Sequence, residues 1–136
     1  MEGTTKHPKK AKRTTGISTL TDLHGTIIRH DDGTWIKIEA WTVLAKSEIP
    51  HGIRYSLTLH DKSGTRLLGY DNAHAVAPAN PFKFAGQILA YDHKHRHARD
   101  KGVPYAFKDA YQLLKDFYTD VDRVLAQHLP KQPKKP

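Results

Sequence analysis

Three histidines alternate along one short segment of the chain, at His93, His95 and His97. On an extended backbone, alternate side chains project from the same face, so the three imidazoles are expected to form one row. Imidazole titrates near neutral pH, and a pair of imidazoles can therefore serve as general base and general acid. In metal-independent RNA cleavage, the base takes the proton of the 2′-hydroxyl and the acid protonates the leaving 5′-oxygen. This row is the candidate catalytic site, and its chemistry needs no cofactor.

The same reaction needs a cation beside the scissile phosphate, because negative charge grows on the phosphorane-like transition state. A guanidinium group suits this role, since it can bind phosphate through two donors. The candidates for substrate binding are Arg54, Arg66, Arg96 and Lys94. Lys94 and Arg96 alternate with the histidines and are expected on the opposite side of the segment.

Two other interpretations of the histidine segment remain open. Asp92 together with His93, His95 and His97 offers hard and borderline ligands that suit zinc, manganese or nickel. Alternatively, the segment is an exposed, solvated basic loop that carries no chemistry.

The segment Gly69-Tyr-Asp-Asn72 is a second candidate element of the site. Tyr70 can donate a hydrogen bond to phosphate or stack on a base, and Asp71 can orient a histidine. The alternative is a strand end with an Asx turn, in which Asp71 and Asn72 accept hydrogen bonds from backbone donors. Trp35 and Trp41 are expected on one face of a strand, where core packing or an interface explains them better than base stacking.

Charge also favours a polyanionic partner, and RNA above all. The formal net charge is +8, from 22 Lys and Arg against 14 Asp and Glu. Eight of these cations and one anion lie in two terminal segments, which leaves 14 cations and 13 anions between them. Basic tails alone are more often solvated than specific binders. The RNA hypothesis therefore depends on the residues between the tails.

The hydrophobic pattern predicts an α+β fold, with an antiparallel meander of four to six strands covered by one long C-terminal α-helix. Tight turns are expected at Asp32-Gly33 and Asp61-Lys-Ser-Gly64. The predicted elements are strands at His24–His30, Trp35–Leu44, Ile53–His60 and Thr65–Tyr70 and a helix at Phe107–Leu129. Residues 82–91 fit either a short strand or a helical turn. We expect one domain over residues 17–129, between a flexible basic arm (1–16) and a Pro-rich basic tail (130–136).

The chain has no cysteine, which excludes disulfides and thiolate zinc sites and fits a reducing cytosol. No apolar run approaches the roughly 20 residues of a membrane span, and the basic N-terminus lacks the apolar region of a secretory signal. We therefore expect a cytoplasmic protein that does not bind membranes.

Several short motifs occur together in a familiar order. They are Arg54-Tyr-Ser-Leu57, Gly69-Tyr-Asp-Asn72, Asp92-His-x-His95, Pro104-Tyr-Ala-Phe107 and Leu114-Lys-Asp-Phe117 with Asp120-Val121. Through them, residues 23–125 resemble the TumE-like toxin family of bacterial toxin–antitoxin modules, and the basic tails lie outside the resemblance. It implies a small toxin encoded beside a helix-turn-helix antitoxin, with an RNase-type activity. The chain departs from the family pattern in residues 73–91, where a longer, more apolar connection replaces a short Gly- and Lys-containing loop.

We therefore expect the toxin of such a module, acting as a metal-independent ribonuclease. Its expected catalytic residues are His93, His95, His97, Tyr70 and Asp71. Its expected partners are RNA and the helix-turn-helix antitoxin. The alternatives are a non-enzymatic module that binds nucleic acid or a protein, and a metal-dependent hydrolase.

Overall fold

The computed structural model describes residues 16–73 and 91–128. Within them, the elements in chain order are α1 (Ile17–Thr21), β1 (Thr26–Arg29), β2 (Trp35–Thr42), β3 (Ile53–His60), β4 (Arg66–Asp71), β5 (His93–His95), β6 (Val103–Pro104) and α2 (Ala110–His128). The predicted N-terminal arm apart from Gly16, the predicted C-terminal tail and nearly all of the ambiguous segment 82–91 lie outside the described residues. The expected domain boundaries therefore stay predictions.

The described strands form one antiparallel sheet in the order β1-β2-β3-β4-β5-β6, so each strand pairs with its neighbour in sequence. The predicted α+β meander with a long C-terminal helix is confirmed. β3 has its predicted limits, and the ends of β1, β2 and β4 differ from the prediction by no more than two residues. The short α1 and β6 were not predicted, because elements of that length show no readable periodicity.

Local side-chain hydrogen bonds close the predicted turns. Between β1 and β2, the Asp32 carboxylate accepts hydrogen bonds from the Thr34 N–H at 2.8 Å and the Thr34 hydroxyl at 2.6 Å. Gly33 has a φ of 91°, a left-handed conformation that glycine adopts without steric cost. Between β3 and β4, Asp61 accepts a hydrogen bond from the Thr65 N–H at 3.0 Å. These bonds favour short connections and hence pairing of successive strands.

The core lies between the helices and one face of the sheet, which we call the inner face. Alternation along β2 buries Ile36, Ile38 and Ala40, which belong to one cluster with the apolar stripe of α2. The same cluster contains Leu20, Ile53, Tyr55, Leu57, Leu59, Leu68, Tyr70, Ala110, Leu113, Phe117, Val121 and Val124. The opposite side of the sheet, the outer face, carries the alternate residues of the same strands.

α2 begins three residues later than predicted. The Asp109 carboxylate accepts a hydrogen bond from the Gln112 N–H at 2.8 Å, which is the contact that an N-cap residue makes. Phe107 therefore lies before the helix, where its ring centroid is 3.9 Å from that of His51. Among the described residues, no helix has the length and apolar character needed to cross a membrane.

Phe117 of α2 is fully buried, with 0% of its surface exposed. Because Phe117→Ala leaves a cavity in the core, it should lower the free energy of unfolding by about 3–5 kcal/mol. Thr119→Ala, at an exposed position of the same helix, should change it by less than about 0.5 kcal/mol. Urea unfolding followed by circular dichroism measures both variants, and equal effects would contradict the assigned helix face.

Candidate functional site

The pairing of β4 with β5 decides which side chains meet. Asp71 lies opposite His93, and Gly69 lies opposite His95. Directly paired residues of an antiparallel sheet point to the same face. Tyr70, which alternates with them, belongs to the core and therefore points to the inner face. Asp71 and the two histidines consequently share the outer face.

Asp71, His93 and His95 form a group that we call the Asp71 cluster. His93 Nε2 lies 2.9 Å from Asp71 Oδ1, and His95 Nε2 lies 3.8 Å from Asp71 Oδ2. The centroids of the two imidazole rings are 5.0 Å apart, and their planes cross at 81°. The pairing of the strands thus joins the two motifs that the sequence places far apart.

Backbone carbonyl groups fix the orientation of both rings. His93 Nδ1 lies 2.8 Å from the carbonyl oxygen of Tyr91, and His95 Nδ1 lies 2.8 Å from that of Asp100. A carbonyl oxygen only accepts hydrogen bonds, so each Nδ1 carries a hydrogen and donates it. The Nε2 atoms of both rings are thereby turned towards the Asp71 carboxylate.

His93 has an oxygen acceptor at each ring nitrogen, which favours the protonated imidazolium. Burial alone would lower the pKa of His93, but hydrogen bonds to Asp71 and to the Tyr91 carbonyl outweigh burial and raise it. Burial would likewise raise the pKa of Asp71, yet hydrogen bonds from His93 and the Ala73 N–H lower it. Both shifts favour the ion pair of an Asp71 carboxylate with a protonated His93.

His95 is placed to accept a proton. The 3.8 Å between its Nε2 and Asp71 exceeds a hydrogen-bond distance, so the carboxylate does not hold that atom. With its hydrogen on Nδ1, neutral His95 has a lone pair on Nε2. The side chains of His95 and Asp71 are 11% and 15% exposed, against 4% for His93. A molecule at the surface therefore meets His95 and Asp71 before it reaches His93.

The loop after β5 packs against the cluster. Arg96 donates hydrogen bonds to the Asp100 carboxylate from its backbone N–H at 2.8 Å and from Nε at 2.7 Å. The hydrogen bond from Arg96 lowers the pKa of Asp100. Gly102 then passes so close that an added Cβ would lie 3.2 Å from atoms of both imidazole rings. Arg96, a predicted substrate-binding residue, thus shapes the loop that holds the His95 ring.

Arg66 extends across the outer face towards the cluster. An added Cβ on Gly69 would lie 3.2 Å from Arg66 Cδ and 3.5 Å from its Nε, so the arginine side chain runs over this glycine. Gly69 is the direct cross-strand neighbour of His95. Arg66 Nε, the first atom of the guanidinium group, therefore lies over the residue next to that histidine. Arg54 lies on the same face, but its Nη1 donates to the carbonyl oxygen of Asn72 at 2.9 Å.

Asn72 is buried and connects two strands. Its Oδ1 accepts a hydrogen bond from the Tyr55 N–H at 3.1 Å, and its Nδ2 donates to the Ile53 carbonyl at 2.6 Å. Asp71 accepts a hydrogen bond from the Ala73 N–H at 3.1 Å, as expected for an Asx turn at this strand end. Asp71 therefore serves both the turn and the histidines.

Tyr70 and Lys94 lie on the inner face, away from the Asp71 cluster. The Tyr70 hydroxyl donates to the Asp120 carboxylate of α2, and Lys94 Nζ lies 3.4 Å from the same carboxylate. Burial, together with the hydrogen bond to Asp120, raises the pKa of Tyr70. The structure thus brings a predicted catalytic residue and a predicted substrate-binding residue to α2 and not to the histidines.

The metal-ligand set considered from the sequence is not assembled. Asp92 faces the inner side, where its Oδ2 accepts hydrogen bonds from the Tyr55 hydroxyl at 2.7 Å and from His51 Nε2 at 2.8 Å. His97 is exposed beyond the end of β5, so the expected row contains two of its three histidines. Instead, donor atoms of the Asp71 cluster lie within 4.8 Å of one another, close enough to share one metal ion.

Three contributors to the site were not predicted. They are the carbonyl oxygens of Tyr91 and Asp100 and the close approach of Gly102. A backbone acceptor leaves no trace in the pattern of side chains. Asp100 and Gly102 do have residue types common in turns, and this signal could have indicated the loop.

The Asp71–His93 ion pair should make stability depend on pH. Because the pKa of His93 is raised, its contribution is fully present below the unfolded value of about 6.5 and is lost as pH rises through the folded pKa. The pKa of Asp71 is lowered, so its contribution is present above about 3.9 and is lost as pH falls through the folded pKa. The pair should therefore stabilise the fold most between about pH 4 and 6.5.

Asp71→Asn removes the charge and should lower the free energy of unfolding by about 1–3 kcal/mol in that range. The difference from the wild type should shrink as pH rises through the folded pKa of His93, which lies above its ordinary value. Urea unfolding at a series of pH values measures both curves, with Asp31→Asn at an exposed turn position as the control. A difference that stays constant with pH would contradict the ion pair.

Residues 6–125 match the family model described as Toxin TumE. The matched range contains all the described strands and most of α2. It also begins earlier than the resemblance of the motifs indicates, so it includes much of the basic N-terminal arm. No curated protein and no solved structure matches the chain. Because the match covers well over half of its residues, the chain belongs to the TumE toxin family.

Proposed function

We propose that this chain is the toxin of a toxin–antitoxin module and that it cleaves RNA by metal-independent acid–base chemistry. Membership of the TumE toxin family supports the first part. The second part depends on one observation, which is that two carbonyl-anchored imidazoles present their Nε2 atoms to a shared carboxylate. Hydrogen bonds favour the protonated form of His93, and His95 Nε2 lies beyond hydrogen-bond distance of the carboxylate, which is the arrangement that an acid–base pair needs.

In this mechanism, neutral His95 takes the proton of the 2′-hydroxyl through Nε2. The 2′-oxygen attacks the phosphorus, the bond to the 5′-oxygen breaks, and a 2′,3′-cyclic phosphate forms. His93 gives its Nε2 proton to the leaving 5′-oxygen, which replaces Asp71 as the partner of that N–H. Asp71 keeps His93 protonated until the substrate arrives.

Arg66 is the cation that stabilises the transition state. Its stem lies over Gly69, in the row that continues to His95, so its guanidinium can reach a phosphate held at the His95 ring. Arg54 supplies a second contact to the RNA backbone from the same face. We assign no substrate contact to Arg96, which is bound to Asp100.

The proposed partners are RNA and a helix-turn-helix antitoxin. The antitoxin follows from the resemblance to the family, and its type is part of the proposal. Most of the net charge of +8 lies in the two terminal segments, where it can attract the phosphate backbone of RNA before any specific contact forms. The specific contacts depend on the residues between these segments.

A metal-dependent hydrolase is the second candidate, since the donor atoms of the Asp71 cluster lie within 4.8 Å of one another. In that case the two Nε2 atoms and the carboxylate would hold a divalent ion that activates water. Treatment with EDTA separates the candidates. Acid–base cleavage survives the chelator, whereas metal-dependent cleavage is lost and returns when zinc or manganese is added.

His95→Ala should lower the rate of RNA cleavage by about 10²–10⁴-fold, the usual effect of losing a general base. His97→Ala is the matched control, because this exposed histidine lies two positions away and outside the cluster. Its rate should stay near that of the wild type. The assay follows purified protein on a synthetic RNA, and regulated expression with total-RNA analysis gives the cellular readout.

The wild-type rate should also follow a bell-shaped pH profile. The fall at high pH should follow loss of the His93 proton, because hydrogen bonds to Asp71 and to the Tyr91 carbonyl raise the pKa of His93. A folded double variant, His93→Ala with His95→Ala, that cleaves RNA and arrests growth like the wild type would refute the mechanism. A folded, growth-arresting protein without any RNA cleavage would instead support the non-enzymatic alternative.

Gly69→Ala should displace Arg66, because the added Cβ would lie 3.2 Å from Arg66 Cδ. Arg66→Ala should slow cleavage by about 10²–10³-fold, as for the loss of one donor to the transition state. If Gly69 acts by leaving room for this arginine, the double variant should cleave no more slowly than Arg66→Ala alone. Single-turnover rates of the three variants test this, and independent, multiplicative effects would contradict it.

A further inference from the structure

Outside the Asp71 cluster, the outer face presents two tryptophans. Trp41 of β2 is 45% exposed, and its ring centroid lies 5.6 Å from that of His24 in an edge-on contact. Trp35 of the same strand stacks on His60 of β3, with centroids 4.0 Å apart and planes 12° from parallel. Both tryptophans alternate with the buried residues of β2. Core packing, one of the two explanations expected from the sequence, therefore does not account for them.

The strand register links these rings to the Asp71 cluster. Lys37, Thr58, Gly69 and His95 form one row across β2, β3, β4 and β5. Neighbouring strands lie about 4.8 Å apart, so this row is about 14 Å long. Trp35 and Trp41 stand near opposite ends of β2, about 20 Å apart at the usual rise per residue. On β2, the row crosses at Lys37, which lies between Trp35 and Trp41. An extended nucleic-acid chain that follows the row to the Asp71 cluster therefore passes between the two tryptophans.

Cations predominate on this face in the described strands. The residues that project there include Arg29, Lys37, Arg54 and Arg66, against Glu39 and Asp71. Asp71 is already paired with His93 at 2.9 Å. Lys37 lies 3.7 Å from Glu39, with both side chains about two-fifths exposed, and such a pair is weak in water. The face is therefore complementary to a chain of phosphates.

We propose that the outer face binds single-stranded RNA, with unpaired bases stacked on Trp41 and on the Trp35–His60 pair and with phosphates contacting Arg29 and Lys37. The inference rests on the proposed function and deepens it, because it names the strand state of the substrate and its path to the Asp71 cluster. Stacking on a side chain needs a base whose face is free, which a duplex does not offer.

The composition of the face favours RNA over a protein as its occupant. Lysine is depleted at the centre of protein–protein interfaces, whereas Lys37 lies between the two tryptophans on β2. Aromatic rings set among cations are the combination that binds single-stranded nucleic acid without reading its sequence.

The chain contains two tryptophans, and both lie on this face, so its intrinsic fluorescence reports on this surface. The experiment titrates the full-length His95→Ala variant, which leaves RNA uncut, with single-stranded oligouridine. We expect the tryptophan fluorescence to be quenched on binding. The same oligouridine annealed to oligoadenosine should quench it far less.

In this background, Trp41→Ala should weaken oligouridine binding by about 5–150-fold, the effect of losing one base stack. Trp41→Phe, which keeps an aromatic ring, should restore most of the affinity. Tyr111→Ala is the matched control, because Tyr111 is 50% exposed but belongs to α2 on the other side of the sheet. Lys37→Gln should reduce the slope of log K against log salt by about 0.7, the contribution of one phosphate on a single strand.

The outcomes separate this inference from the nuclease proposal. If wild-type protein is quenched by oligouridine but cleaves no RNA, the nuclease proposal fails and the binding surface stands. If RNA is cleaved while Trp41→Ala and Lys37→Gln bind oligouridine like their parent, the binding surface is overturned. Equal quenching by the duplex, or quenching by the antitoxin and not by RNA, would also overturn it.

Discussion

The hydrogen-bonded pairing of β4 with β5 is the contact on which the rest of the site depends. It places Asp71 opposite His93 on the outer face, while Tyr70 points inward to Asp120 of α2. A shift of one residue would send every side chain of β5 to the other face, because side chains alternate along a strand. The imidazolium would then enter the apolar core, where an unpaired charge is costly. The inner-face packing that stabilises the fold therefore also fixes the geometry of the outer face.

Hydrogen bonding inside the core decides which carboxylate is left for the histidines. Three tyrosines each donate to a carboxylate on the inner side, in the pairs Tyr55–Asp92, Tyr70–Asp120 and Tyr105–Asp116. Within the described residues, every buried side-chain nitrogen or oxygen has a hydrogen-bond partner. Breaking one of these pairs would leave a buried polar group unsatisfied. Asp71 lies on the outer face, where its carboxylate is 2.9 Å from His93 Nε2 and 3.8 Å from His95 Nε2.

Short-range patterns predicted the meander and its turns, and alternation placed His93 and His95 on one face. The same alternation places Asp92 and His93 on opposite faces of the sheet. They were expected to bind one metal ion together only because they are adjacent in the sequence. His97 leaves the row because the chain turns after β5, where the Arg96 N–H bonds to Asp100 instead of continuing the strand. The sequence suggested that Asp71 could orient a histidine, but it could not indicate which one, because the long connection between β4 and β5 carries no signal for their register.

The Asp71–His93 pair is neutral as a whole, so the cluster itself does not attract RNA by charge. In the proposed function, RNA is attracted by the arginines and Lys37 on the rest of the outer face, which carry no role in proton transfer. In the proposed reaction, a phosphate that displaces Asp71 from His93 is also an anion. The imidazolium therefore keeps a negative partner throughout, and its proton leaves only when charge develops on the 5′-oxygen. The two proposed proton-transfer histidines lie on β5, whereas the proposed binding residues lie on β1 to β4, so the register of the sheet couples the two proposed roles.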